Sequence, residues 1–523
     1  MSLRDDRKPG RQSDGVGEGN GDDSADESDS PIDPEVGPAT PAGSLAAAAG
    51  ASHRRQATAS AAPSQGGETL GEILRLAWPV MASQVLLNLT GVIDRMMIGR
   101  LASEGGAAIP LAGVGYATQL FHLIHSTLFA VGLACVALMA RAIGSGDAAR
   151  ARHAFAGSVQ VSMAVTLFYA GFLFFGSEQA LAALGAEESV IRVAAPYLEL
   201  TVGASLMLSF TMIGESALRA NRDMRTPMLI ALVVAAAKLG LNAVLIFGHL
   251  GFPALELYGA GLATAISQAV GLLLFLLVLA RTPRDAPTAL RPRDLLRLNP
   301  ITRDVVRIAV PGVAERIVLN FGLLSYFWVL SHYYGTLAVA AYTVGISILS
   351  FSWIPGTGYA QACSTVVGQA LGAKRPDAAL AGAKRALLLA IVTALPLGLF
   401  FAWQRVALAE LFTEDAAVVS ALAPFMLCLA IAQPFLQMHF TLGGAHKGAG
   451  DTITPLIAAT IGNWGIRVPV AIALGAIFQA DVIWLWATLI FDHIARTIYL
   501  GVSFLRGRWR EPATLRKQTV APR

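Results

Sequence analysis

From Thr226 to Gly248 the chain reads TPMLIALVVAAAKLGLNAVLIFG, an apolar stretch in which Lys238 is the single charge. Coiled as a helix it would be about 35 Å long, enough to cross the roughly 30 Å hydrocarbon core of a bilayer. Comparable runs recur from Glu72 onward. They cover 75–98, 109–142, 154–175, 190–218, 226–248 and 257–281, then 306–332, 337–371, 385–404, 418–444, 454–478 and 482–505. The pattern predicts an all-α polytopic membrane protein with twelve transmembrane helices, the long second and eighth runs extending beyond the bilayer. Composition agrees. Of 523 residues, 54% are hydrophobic and 14% charged, far too little charge to cover a soluble fold of this size.

Charge is unevenly spread. Residues 1–67 carry 11 acids and 6 bases among Gly, Ser, Pro and Ala, and lack a basic segment leading into an apolar one. Such a stretch cannot bury enough apolar surface to order itself, so it reads as a disordered acidic tail rather than a secretory signal. The basic residues of the body, including Arg150, Arg152, Arg219, Arg222, Arg225, Lys374, Arg375 and Arg506, gather in alternate connections and the carboxyl tail. The opposite connections hold Arg100, Arg192 and Arg405. Lys and Arg remain on the cytoplasmic side, which predicts a plasma-membrane protein with both termini inside. The segments 176–189 and 405–417 read as outer loops. Domain limits follow: an N-lobe over 68–281, a cytoplasmic basic linker over 282–304 with Arg284, Arg291, Arg293 and Arg297, a C-lobe over 305–505, and a basic tail over 506–523. Basic loops beside apolar runs report orientation, so no nucleic-acid partner is expected. Cys135, Cys363 and Cys428 lie in apolar stretches without CxxC spacing, which indicates neither a disulfide framework nor a metal site.

The two halves repeat. Ala77-Trp78-Pro79 with Asn88 matches Ala309-Val310-Pro311 with Asn320 at an offset of 232. Ala195-Pro196-Tyr197 matches Ala423-Pro424-Phe425, and Asp223 with Thr226-Pro227 matches Asp451 with Thr454-Pro455, both at 228. Copies of six spans share one orientation, so the expected architecture is two six-helix bundles about a pseudo-twofold axis along the membrane normal. A cavity between two such bundles, opened alternately to either side, is a transporter's architecture.

Between about 70 and 510 the chain resembles the multidrug and toxic compound extrusion (MATE) family of cation-coupled exporters. The residues that carry the resemblance are Pro79 with Gly91-Val92-Ile93-Asp94-Arg95-Met96-Met97-Ile98-Gly99-Arg100, Ile143-Gly144-Ser145-Gly146-Asp147, and the stretch from Ala217 to Met228. Leu245-Ile246-Phe247-Gly248, the stretch Gly259 to Ser267, and Trp464-Gly465-Ile466-Arg467-Val468-Pro469 add to it. The Leu218-Arg219-Ala220 signature has one additional residue before Asp223. Membership would imply an antiporter exporting amphipathic organic cations or drugs in exchange for H+ or Na+. It implies no cofactor and no obligate protein partner beyond the membrane lipids.

Charges inside hydrocarbon cost roughly 2.5–3.5 kcal/mol each, so every intramembrane ion is a functional candidate. Asp94 comes first, because a carboxylate facing a cavity can take up H+ or Na+ on one side and lose it on the other; the family's amino-terminal lobe uses an Asp here. Lys238 is a departure. Where well-equipped members offer Asn and then Asp or Asn four residues on, this chain has Lys238 and Asn242. These share a helix face, so Lys238 is read as a tethered cation that pairs with Asp94 and competes with the incoming ion. Snorkelling to the cytoplasmic surface is the other reading. Thr264 completes the cation-coupling set that the resemblance implies. Glu315 is a second-lobe candidate, or a structural pair with Arg316, and the 418–444 run holds no acid to complete a second site. Gln84 and Glu199 are candidates for the solute cavity, while Glu215 should pair with Arg219. Arg467 and Asp492 read as structural partners, and His439 as hydrogen-bonded filler. Pro79, Pro196, Pro311, Pro355, Pro396, Pro424, Pro434 and Pro469 read as helix interruptions.

Other classes fit less well. A lipid-linked precursor flippase of the wider superfamily should carry more cavity arginines and extra helices. An enzyme would need clustered nucleophile, metal or acid-base groups, and HExxH, GxSxG and Cys/His arrays are all missing from the sequence. A channel would need a pore ring, which a twofold repeat does not supply.

Overall fold

Side-chain caps set where many of the long helices begin. Thr69 and Glu72 form a reciprocal capping box, with Thr69 N–H donating to Glu72 Oε2 at 2.6 Å, which opens α1 (Leu70–Ile98). Asp147 accepts from the Arg150 amide at the start of α3 (Ala148–Phe175), which follows α2 (Ala108–Gly144) across a short turn. The first half continues with α4 (Glu188–Ala220), α5 (Arg225–Phe247) and α6 (Glu256–Arg281). The second half holds α7 (Pro300–Val329), α8 (Gly335–Ser352), α9 (Ile354–Gly372), α10 (Pro376–Trp403) and α11 (Ala416–Gly448). It ends with α12 (Ile453–Thr460), a π-helical segment Ile461–Arg467, α13 (Val468–Ala476) and α14 (Val482–Leu505).

These elements come from a computed structural model that describes residues 68–100, 108–297, 299–413 and 415–510, all within the unit 60–523. The acidic tail 1–67 and most of the basic tail lie outside the described residues. Among the described residues, ten helical stretches are long and apolar enough to cross a membrane, with 300–372 counted as one of 73 residues. The molecule is a multi-pass, all-helical membrane protein. Two expectations about run boundaries change. The eighth run is two helices meeting at Trp353, with Pro355 in the first turn of α9, and Pro469 likewise sits in the first turn of α13. Both stand where a continuous helical stretch is disturbed, Pro355 two residues past the junction at Trp353 and Pro469 directly after the π segment Ile461–Arg467, as expected of a residue that removes an intrahelical N–H donor. Pro79, Pro196, Pro311, Pro396, Pro424 and Pro434 do lie inside helices. The linker is docked rather than loose: a short helix Pro292–Leu296 lies along α3, where Gln160 Nε2 donates to the Leu295 and Arg297 carbonyls at 2.9 Å.

Local geometry repeats with the sequence. Asp223 accepts from the Thr226 amide at 3.0 Å and hydroxyl at 2.7 Å before α5; Asp451 accepts from the Thr454 amide at 3.1 Å and hydroxyl at 2.6 Å before α12. Burial opposes ionisation of Asp451, but hydrogen bonds from His446 and Thr454 outweigh it and hold the carboxyl below the ordinary carboxylate range. Left-handed backbone positions also coincide at the 228 offset: Gly146 with Lys374, Arg222 with Gly450, and Gly251 with Gln479. A non-glycine residue tolerates positive φ poorly, so sharing these sites reflects one inherited backbone.

Where the halves meet, α2 and α9 cross reciprocally. A Cβ on Gly144 would fall on the Gln369 carbonyl, and a Cβ on Gly372 would fall on the Arg141 carbonyl. Residues 141 and 369, like 144 and 372, are 228 apart. Each touches the other's equivalent, as at a twofold axis. At the same end Arg222 donates to Gln369 Oε1 and to Glu68 Oε1, each at 2.5 Å, and Arg385 donates to the Glu68 carbonyl. Because the obstacle at position 372 is backbone, Gly372→Ala must separate the two helices, an overpacking cost of about 1–3 kcal/mol. The detergent-solubilised variant should unfold several degrees below wild type. Gly443→Ala, whose added Cβ meets nothing within 4 Å, should not; equal melting of the two variants would contradict the tight crossing.

Candidate functional site

Asp94 lies one turn before the end of α1, where that helix packs on α5. The four-residue spacing of Lys238 and Asn242 turns both toward it. Lys238 Nζ forms an ion pair with Asp94 Oδ2, and Asn242 Nδ2 donates to Oδ1 at 2.5 Å. Both carboxylate oxygens are therefore occupied by protein donors. The Asp94 side chain is 16% exposed and that of Lys238 22%, so the protein shields most of the pair, whereas Asn242 is fully buried. Asn242 Oδ1 is buried without a hydrogen-bond donor among the described residues. Tyr197 of α4 stands close enough to feel the charge of Asp94. A carboxylate held by an ammonium and an amide, partly shielded between apolar helices, can exchange a tethered cation for a mobile one.

The remaining candidates scatter. Thr264 on α6 donates its hydroxyl to the Ala260 carbonyl at 2.9 Å, one turn back on its own helix, so it is not joined to Asp94 by a hydrogen bond. Gln84 is half-buried on α1, ten residues or about 15 Å along the axis from Asp94. Glu199 accepts from Ser177 Oγ at 2.7 Å, anchoring the short helix Ser177–Ala183 instead of standing free in a cavity. Glu215 pairs with Arg219 at 2.7 Å.

Glu315 does not pair with its neighbour Arg316. Successive residues on a helix point about 100° apart, and Glu315 instead accepts from Lys447 Nζ at 2.8 Å. Arg316 points to α2, its guanidinium carbon 4.3 Å from the centre of the Phe129 ring. Lys447 lies just past the apolar run 418–444 that feeds α11. The helix actually continues to Gly448.

Arg467 and Asp492 do face each other, but at 3.9 Å. Asp492 is bound more closely by Arg496, four residues on, with Nη2 to Oδ2 at 2.8 Å. The i,i+4 spacing was the available signal for Arg496. Arg467 donates to Tyr342 OH at 2.8 Å and lies over the Tyr326 ring. Gly462 allows this cluster, since a Cβ there would fall on Asp492 Oδ1. Beside it the rings of His439 and His493 stack with centroids 5.0 Å apart; His439 Nδ1 meets the Phe435 carbonyl at 3.1 Å. Both ring nitrogens of His493 are buried without hydrogen-bond partners among the described residues.

The MatE family model matches the chain twice, over 79–244 and 311–473. The chain belongs to the MatE family. The two MatE segments begin at Pro79 and Pro311, the pair that opens the sequence repeat. A probable multidrug resistance protein NorM of Bradyrhizobium diazoefficiens is 31% identical over 451 residues, covering 84% of this chain and 92% of that protein. Another of the same name, from Thermotoga maritima, is 26% identical over 450 residues and covers 86% and 95%. Among solved structures, one described as the outward-facing conformation of a multidrug resistance MATE family transporter superposes with a TM-score of 0.76 over 86% of this chain and 99% of that one. At 21% identity that likeness shows the fold alone.

Proposed function

We propose that the chain is a secondary active antiporter that exports drug-like amphipathic solutes in exchange for H+ or Na+ by alternating access. One observation carries the reading: Asp94 held between Lys238 and Asn242 inside the first repeat. An arriving proton neutralises Asp94 and releases Lys238, leaving an ammonium without its counter-charge in an apolar surround. Stranding a charge in this way costs several kcal/mol, so the protonated lobe favours a different arrangement from the ionised one. A difference of that kind between two states is what coupling requires. Na+ would act similarly by taking the place of the ammonium, with Asn242 Oδ1 as a further oxygen ligand.

Twelve spans in two six-helix bundles agree best with the helices. A single helix of 73 residues would be about 110 Å long, so 300–372 is read as two crossings, α7 and then α8 with α9. The charged α14 is the twelfth. With both termini and the basic connections cytoplasmic, the Gly144, Gly372 and Arg222 contacts close the inner face. The names of the relatives support drug-like cargo. An organic cation would have to displace Lys238 from Asp94 or Lys447 from Glu315, since both carboxylates are already paired.

The test is ethidium efflux from proteoliposomes under imposed pH or Na+ gradients. One gradient should drive it and identify the ion; efflux that responds to neither would overturn antiport.

A further inference from the structure

Arg316 sits at the middle of α7, sixteen residues from Pro300 and thirteen from Val329, more than 19 Å of helix from either end at about 1.5 Å per residue. Three well-shielded arginines each donate to an oxygen, Arg219 to Glu215, Arg467 to Tyr342 and Arg496 to Asp492, as does the more exposed Arg222 to Glu68 and Gln369. Arg316 has no such acceptor among the described residues. Its contact is the face of Phe129, which binds the guanidinium plane and leaves the N–H edge open. The adjacent acid is taken, because Glu315 is bound to Lys447.

Close to Arg316 stand the carboxylate of Glu315, already bound to Lys447, and two imidazoles that bring ring nitrogens but no further acid. His122 and His125 of α2, ring centroids 6.4 Å apart, both lie within electrostatic reach of Arg316. Arg316 and His125 are half-buried and His122 is exposed, so the cluster is open on one side. Because α2 belongs to the first repeat and α7 to the second, the site lies where the lobes meet, and alternating access must change it. Its symmetry mate carries no charge. The offset of 232 relates Arg316 to Gln84, and that of 228 relates His122 and His125 to Ser350 and Trp353. There Asn88 of α1 donates to the Ser350 carbonyl at 3.3 Å, a hydrogen bond between the lobes that marks the same level of the cleft. One wall of the interlobe space is therefore basic and its mate neutral.

We propose that Arg316, with His122 and His125, forms a subsite for the acidic head of the exported solute, and that amphipathic organic anions bearing a carboxylate, sulfonate or phosphate are a substrate class. An unpaired guanidinium at mid-helix is costly. Its planar fork of donors matches two oxygens of such a group, and Phe129 offers apolar surface beside it for the solute's body. The proposal rests on the antiporter reading only for the position of the solute path. Equilibrium binding, measured without any gradient, therefore fails or succeeds independently of coupling.

The experiment compares naphthalene-2-sulfonate with the uncharged naphthalene-2-sulfonamide on the purified full-length protein in phosphatidylcholine nanodiscs. Wild type should bind the sulfonate roughly tenfold more tightly. Arg316→Gln should erase that preference, Arg316→Lys should retain part of it, and sulfonamide affinity should stay level. Equal affinity of wild type for the two probes overturns the proposal, and this arm stands even if Arg316→Gln does not fold. A preference that survives within about twofold in folded Arg316→Gln also overturns it. Repeating the measurement with phosphatidylglycerol present separates two sources of the anion. Competition identifies a lipid headgroup and unchanged affinity a soluble solute, and either upholds an anion at Arg316.

Discussion

Asp94→Asn should insert into the membrane and fail to pump, with gradient-driven efflux lower by about tenfold or more, the loss expected when an interaction needed at the turning point of the cycle disappears. Asparagine keeps the shape and one acceptor oxygen, so Asn242 retains a hydrogen-bond partner. What disappears is the titrating charge. Lys238 would then lack its counter-ion, and removing one member of a buried pair costs up to about 3–5 kcal/mol, somewhat less here because neither side chain is fully buried. The single variant should therefore be less stable as well as inactive. Combining it with Lys238→Met removes the stranded ammonium. Stability should return toward wild type while transport stays lost, which separates folding from coupling. Lys238→Met alone keeps the carboxylate but frees it of the tethered competitor, so it should transport with an altered pH dependence. Efflux by Asp94→Asn at the wild-type rate would remove this carboxylate from the cycle. An unchanged pH profile in Lys238→Met would remove the lysine.

How much of this could be read from sequence depended on how much context each residue needs. The pairing of Asp94 with Lys238 was legible because charges in apolar runs are few, and four-residue spacing puts Lys238 and Asn242 on one face. The repeat was legible too, and it appears again in the capping aspartates Asp223 and Asp451 and in left-handed positions such as Arg222 and Gly450. The partner of Glu315 was not. Lys447 is distant in sequence, and only the continuation of α11 brings it within reach. Thr264 carried no sign that its hydroxyl would bond back to its own helix, an ordinary choice for threonine inside a helix. The π segment at 461–467 is equally silent, because an apolar run has the same composition with or without an extra residue in the turn. The unpaired state of Arg316 could be recognised only after every acid nearby had been assigned.

Asp492 should be the most damaging charge to remove from the second half, and the ranking of its neighbours tests why. Its carboxylate is fully buried between Arg496 at 2.8 Å and Arg467 at 3.9 Å. Asp492→Ala leaves two guanidinium groups, each less than a tenth exposed, without their anion, and the vacated space under Gly462 cannot solvate them. The loss should reach or exceed the roughly 3–5 kcal/mol typical of a broken buried pair, enough to prevent accumulation of folded protein. Arg496→Ala should cost less, because Asp492 keeps Arg467, although at longer range. Arg467→Ala should cost least, since the closer Arg496 pair survives and Arg467 also relies on the Tyr342 hydroxyl and the Tyr326 ring. Thermal unfolding of the solubilised variants, with membrane yield as a second measure, gives the order directly. If Arg467→Ala proves as harmful as Asp492→Ala, the cluster is organised around the arginine, and the sequence's first pairing of Arg467 with Asp492 describes it better than the i,i+4 bond does.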